Sequence, residues 1–144
     1  MDKGINMGRV VFLAVVAAIG GILFGYDTAV ISGTTGIVKN QFQLTTIAEG
    51  WYVGCALIGS ILGVMIAGMM SDRYGRKGTM LFSALLFSIS AIGCAVCQDF
   101  NQLVCFRIIG GFGIGIVSIV SPIYISEIAP AQKRGALVSL YQLA

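Results

Sequence analysis

Four long stretches without a single charged residue constrain this chain more than any other feature. They run from Val10 to Tyr26, Gly50 to Ser71, Gly78 to Gln98 and Ile108 to Ser126. Each holds about 17 to 22 residues, and a helix needs about 20 to cross a bilayer. Hydrocarbon offers no water to backbone N–H and C=O groups, so a spanning segment must close its hydrogen bonds internally, as a helix. The pattern predicts an all-α membrane protein with spans over about 9–32, 50–71, 78–98 and 102–125. A fifth apolar segment starts near Ala136 and is cut off at Ala144. Four complete transmembrane helices plus the start of a fifth mark the N-terminal portion of a longer transmembrane domain.

Composition closes off the other classes. The chain is 57% hydrophobic and 10% charged, where a soluble domain carries about a quarter charged residues. Its net charge of +3 comes from scattered basic residues, so there is no nucleic-acid face. Cys94 and Cys97 have the spacing of a redox or metal pair. The chain holds no histidine and no second cysteine pair at zinc spacing, so Cys55, Cys94, Cys97 and Cys105 read as small packing residues. No metal, cofactor or covalent chemistry is implied, and the protein is not read as an enzyme. The first apolar run is not a signal peptide either. It passes through glycine-rich sequence into Tyr26 and Asp27 without a cleavage site, and more spans follow.

Basic residues set the orientation. Lys3 and Arg9 precede the first span, Arg73, Arg76 and Lys77 separate the second from the third, and Lys133 and Arg134 follow the fourth. Only Lys39 lies on the other side, so the N-terminus is predicted to be cytoplasmic, in a multi-pass protein of the cell (inner) membrane. The segment from about Gly33 to Glu49 is then an external loop, with Trp51 and Tyr52 as an aromatic anchor at its membrane edge. Among the twenty glycines, Gly21 and Gly25, Gly59 and Gly63, and Gly111 and Gly115 are four apart, stacked on helix faces where small residues let backbones approach.

Two charges stand inside the spans. An ionisable residue at membrane depth is costly and is a functional candidate by default. Counted at 1.5 Å per residue from an outer end near Gly33, Asp27 lies roughly 10 Å deep, and Arg107 lies roughly 7 Å below the same surface. The two can face each other. An arginine there holds the carboxylate ionised, and separating the helices or admitting a competing ligand favours proton uptake. The alternative is a static ion pair that only fixes packing. On the cytoplasmic side, Asp72, Arg73 and Arg76 lie between the second and third spans, and Glu127 stands at the end of the fourth. Opposite charges on one face can latch helices in one state and release them in another.

Taken together, these segments resemble the sugar porter family of the major facilitator superfamily, and the likeness covers nearly the whole chain. Gly68 through Lys77 is similar to the superfamily's loop motif G-x-x-x-D-R-x-G-R-K, with Ser71 where a smaller residue is more usual. Gly20 through Asp27 resembles the family's first helix, Arg107 through Gly115 its R-x-x-x-G-x-G-x-G run, and Pro122 through Gly135 its P-x-Y-x-x-E-x-x-x-x-x-x-R-G segment. The resemblance implies that the chain is part of the N-terminal six-helix half of a twelve-helix carrier, with the sugar bound between the halves. It implies that Asp27 couples proton to sugar movement with Arg107 as its partner. It places Phe24 near the sugar and has Gln142 hydrogen-bond a sugar hydroxyl. Asp72, Arg73, Arg76, Glu127 and Arg134 correspond to a cytoplasmic charge network that steadies the outward-open state. The texture is similar to bacterial proton-coupled pentose and hexose symporters. The implied function is monosaccharide:proton symport by alternating access, which this portion cannot perform alone. An uncoupled sugar or polyol uniporter and a transporter-like sugar sensor are the alternatives.

Overall fold

The computed structural model describes residues 7–130 and 132–143; Lys3 and Ala144 lie outside the described residues, as do the side chains of Met7, Arg9, Phe24 and Leu140. Among the described residues the chain forms α1 (Met7–Phe42), α2 (Thr46–Val96), α3 (Phe100–Ile128) and α4 (Arg134–Leu143). Long helices follow from the sequence. The apolar runs contain no interior helix breaker except Pro122, and the glycines that weaken a helix in water cost little where no water competes for the backbone.

α2 is two arms. Gly75, at φ 77° and ψ 158°, interrupts the helical conformation in a region of backbone space that is essentially reserved for glycine. The chain therefore turns back within one residue, leaving arms over 46–74 and 76–96. The directions of the arms show in what they touch. Gly59 and Gly63 of the first arm meet Ile108 and Phe112 of α3 in ascending order. Ser90 and Ser83 of the second arm donate to the carbonyls of Phe106 and Gly113, in descending order, at 2.6 and 2.9 Å. The first arm thus runs parallel to α3 and the second antiparallel. α1 is also antiparallel to α3: Ala14 and Ala17 pack with Ile125, and Gly20 faces Val117 and Ser121. α4 lies beside α1, with the Tyr141 backbone against Gly21.

α3 is the centre of this arrangement and touches every other element. Ile116, Val120 and Ile125 are fully buried along it. The outer faces are apolar instead of polar, with Phe12, Ile61, Met65, Leu81 and Ile92 all exposed. α1, α2 and α3 are each long and apolar enough to cross a membrane, and such faces suit a surface that meets acyl chains.

The glycine pairs divide by partner. Gly59, Gly63, Gly111 and Gly115 form one seam in which a Cβ on any of them would overlap backbone of the facing helix. Gly21 serves the α1–α4 contact, whereas Gly25 has open space beside it.

The stretch predicted as an external loop is mostly helix. α1 continues to Phe42, and only residues 43–45 connect it to α2. Gly33 and Gly36 lower the hydropathy there, but hydropathy reports membrane depth and not helicity. The Thr34 and Thr35 hydroxyls bond back to the Val30 and Ile31 carbonyls at 2.7 and 2.6 Å, which keeps both side chains compatible with the helix. The end is a Schellman closure: Gln43 takes φ 49° and the Leu44 N–H donates to the Lys39 carbonyl at 3.1 Å. Thr45 caps α2 by accepting from the Ala48 N–H, and Lys39 pairs with Glu49 across the turn at 2.6 Å.

Candidate functional site

The two intramembrane charges are brought together. Arg107 Nη1 donates to Asp27 Oδ1 at 3.0 Å and Nη2 donates to Oδ2 at 3.3 Å, a two-pronged contact between α3 and α1. The side chains are 9% and 18% exposed, so the pair is largely removed from solvent yet not sealed. Depth counted from an end at Gly33 does not apply to a helix that runs on to Phe42. Antiparallel crossing of α1 and α3 is what aligns residue 27 with residue 107. Two-pronged geometry suits the arginine fork and fixes orientation as well as distance.

Around this pair stand residues that sequence reasoning placed elsewhere. Tyr52 is 5% exposed while Trp51 is 50% exposed, so the aromatic anchor reduces to Trp51 and Tyr52 turns inward. Its ring lies under Arg107, with the guanidinium carbon 5.6 Å from the ring centroid. Its hydroxyl is 3.3 Å from Thr34 Oγ1 on α1. Cys55, one turn along the first arm, is fully buried and donates to the Tyr52 carbonyl at 3.2 Å. Only the side of the helix on which residue 52 falls separates an anchor from an internal residue, and hydropathy does not carry that information.

A second cluster forms at the Gly75 elbow. Arg76 Nη1 reaches Asp72 Oδ1 at 2.9 Å, and its Nε and Nη2 reach the Glu127 carboxylate at 3.1 and 3.0 Å. Nη1 also donates to the Ser71 carbonyl at 3.1 Å. The Asp72 carboxylate, and after it Glu127, hold the Arg76 guanidinium above its usual pKa. Arg76 thereby ties the elbow to the last turn of α3. The other two residues of the expected network are not in it: Arg73 lies over the Tyr74 ring at 5.9 Å, and Arg134 is exposed at the start of α4 with no ion pair among the described residues.

Of the two expected sugar contacts, Gln142 is exposed in the last turn of α4. The Phe24 backbone lies on α1, but its side chain is outside the described residues. A groove of about 640 Å³ opens between α1, the second arm of α2 and α3. It contains neither Asp27 nor Arg107, and its walls are mostly apolar residues such as Leu13, Leu23, Phe87 and Val117, with Lys77, Ser83 and Tyr124 as the polar members.

Comparison with known proteins places the arrangement. The sequence profile of the family described as "Sugar (and other) transporter" matches residues 13–144. The chain belongs to that family. Among its relatives, the arabinose-proton symporter of Bacillus subtilis is 49% identical over 138 residues, covering 96% of this chain and 30% of the relative. The D-xylose transporter of Levilactobacillus brevis is 44% identical over 141 residues, covering 98% and 30%. The inward open conformation of the xylose transporter XylE from E. coli superposes with a TM-score of 0.85 at 39% identity, over 92% of this chain and 36% of that one. XylE described as a major facilitator superfamily proton:xylose symporter bound to 6-bromo-6-deoxy-D-glucose gives a TM-score of 0.85 at 38% identity, over 94% and 34%. The fold is thus that of a major facilitator sugar transporter, and the chain spans about 30% of the length of the curated relatives it matches.

Proposed function

We propose that this chain is the N-terminal portion of a carrier that moves a monosaccharide, a pentose or hexose, together with a proton by alternating access. The observation that carries the reading is the two-pronged Asp27–Arg107 contact between α1 and α3, set largely out of solvent. Family membership and the names of the relatives, among them an arabinose-proton symporter, support sugar as cargo and the proton as companion.

The chemistry follows from the pair. A carboxylate held by a guanidinium keeps its charge, and protonation becomes favourable only when the arginine is drawn away or shared. Removing one partner of a buried pair costs about 3–5 kcal/mol, because the other is left uncompensated. Proton uptake at Asp27 is therefore tied to a change in how α1 and α3 meet, and that change is the reorientation step. Coupling arises because sugar and proton together bind one orientation better than the other. Phe24 and Gln142, on the adjacent helices α1 and α4, supply sugar contacts in this scheme. The Asp72–Arg76–Glu127 cluster latches the elbow to α3 in one state and releases it in the other. The basic residues at the elbow and after α3 put that cluster, and the N-terminus, on the cytoplasmic side. A portion matching about 30% of its relatives does not transport alone.

The test is sugar-dependent alkalinisation outside energised vesicles that carry the whole carrier, with arabinose and D-xylose as probes. The expected result is alkalinisation that Asp27→Asn abolishes. Alkalinisation that persists in Asp27→Asn removes Asp27 from coupling, and sugar uptake without alkalinisation in the parent makes the carrier a uniporter.

A further inference from the structure

We infer that Tyr52 is the positioning residue for Arg107, an aromatic partner onto which the guanidinium moves when the Asp27 carboxylate is neutralised by a proton; this rests on the reading of Asp27 as the coupling carboxylate. Arg107 is buried, and its only oxygen partners among the described residues are the two Asp27 carboxylate oxygens. Its Nε has no hydrogen-bond partner among those residues. Protonating Asp27 removes the counter-charge and leaves a guanidinium with little else to hold it. The Tyr52 ring face is the remaining group that attracts a cation regardless of the carboxylate's charge.

Geometry makes the ring matter more after protonation than before. The guanidinium carbon stands 5.6 Å from the ring centroid, near the outer limit of about 6 Å for this attraction. The carboxylate holds it there. Freed from Asp27, the side chain can close on the ring, while the ring itself is fixed. Tyr52 is 5% exposed, and its hydroxyl is tied at 3.3 Å to Thr34, whose own hydroxyl is bonded to the Val30 carbonyl at 2.7 Å. The titratable and charged groups facing Arg107 are Asp27 from α1, Tyr52 and Cys55 from the first arm of α2, and Cys94 from the second arm. A neutral thiol offers a cation far less than an aromatic face does, which leaves Tyr52 as the second partner.

The experiment measures proton-driven uptake of D-xylose and of arabinose by the whole carrier in proteoliposomes, as a function of pH. Tyr52→Leu keeps apolar bulk but removes the ring, so the protonated state loses its support. The pH of half-maximal uptake is expected to fall by roughly half to one unit. Tyr52→Phe keeps the ring and is expected to hold the parent midpoint. Tyr52→Met carries the same expectation as Tyr52→Leu if the leucine variant does not insert into the membrane. A uniform loss of rate with an unmoved midpoint in the ringless variants overturns the assignment, because packing alone explains it. So does a midpoint that rises, or one that Tyr52→Phe shifts as far as Tyr52→Leu. Asp27→Asn separates the two levels: proton-driven uptake that survives in it sinks the coupling reading and Tyr52's role together. A parent-like profile in Tyr52→Leu beside an uncoupled Asp27→Asn sinks only the role of Tyr52.

Discussion

Gly111→Ala tests the seam between the first arm of α2 and α3. An added Cβ would overlap the Ala56 carbonyl oxygen and lie 2.8 Å from its carbonyl carbon and 2.9 Å from its Cα. These are backbone atoms of a helix, so no rotamer change relieves the overlap and the helices must separate. Ordinary carbon–carbon contacts fall at about 3.5–4.0 Å, so the separation is on the order of 1 Å. A gap of that size forfeits roughly a quarter to a half of each dispersion contact it opens. Gly59, Gly63 and Gly115 share the seam, so the loss spreads along it. Overpacking typically costs about 1–3 kcal/mol, and the upper end is expected here. About 3 kcal/mol lowers the folded-to-unfolded ratio roughly a hundredfold. The assay is thermal unfolding in detergent micelles, followed by a thiol-reactive dye that gains access to buried Cys55 as the seam opens. Gly25→Ala is the control: nothing lies within 4 Å of a Cβ there, and a glycine costs a helix little in hydrocarbon, so its melting is expected to match the parent. Coincident melting of Gly111→Ala, Gly25→Ala and the parent refutes the close-packed seam.

The two turns yield opposite expectations in the same melting assay. Gly75→Ala forces a side chain into φ 77° and is expected to cost about 1–3 kcal/mol, a loss that a similarly exposed Gly78→Ala does not share. Gln43→Gly relieves a non-glycine residue at φ 49° and is expected to stabilise the α1–α2 connection by up to about 1 kcal/mol; a lower melting temperature contradicts the Schellman closure.

The Asp27–Arg107 pair was legible because so few ionisable side chains occur within the apolar runs. With one acid and one base there, charge neutrality leaves little choice of partner. The cytoplasmic charges were only half legible. Basic residues report which side of a membrane a segment occupies, but not which carboxylate each one reaches. Arg76 sits at the turn of the elbow and bonds both Asp72 and Glu127, while its neighbour Arg73 points to Tyr74 and Arg134 stands alone among the described residues. Tyr52 was misread because a tyrosine beside a tryptophan at the end of an apolar run has the composition of an interface anchor. Its burial depends on a facing arginine from a helix 55 positions further along the chain.

Helicity and the capacity to span were determined by the sequence alone. Their cause is local, since each peptide group in hydrocarbon must find its partner within its own segment. The elbow was local too, because only glycine tolerates the backbone of residue 75. Which glycines touch, which charges pair and which aromatic stands beneath Arg107 were decided by the tertiary structure. Those contacts depend on the direction and crossing of helices far apart in sequence, and a single helix's hydropathy is blind to both.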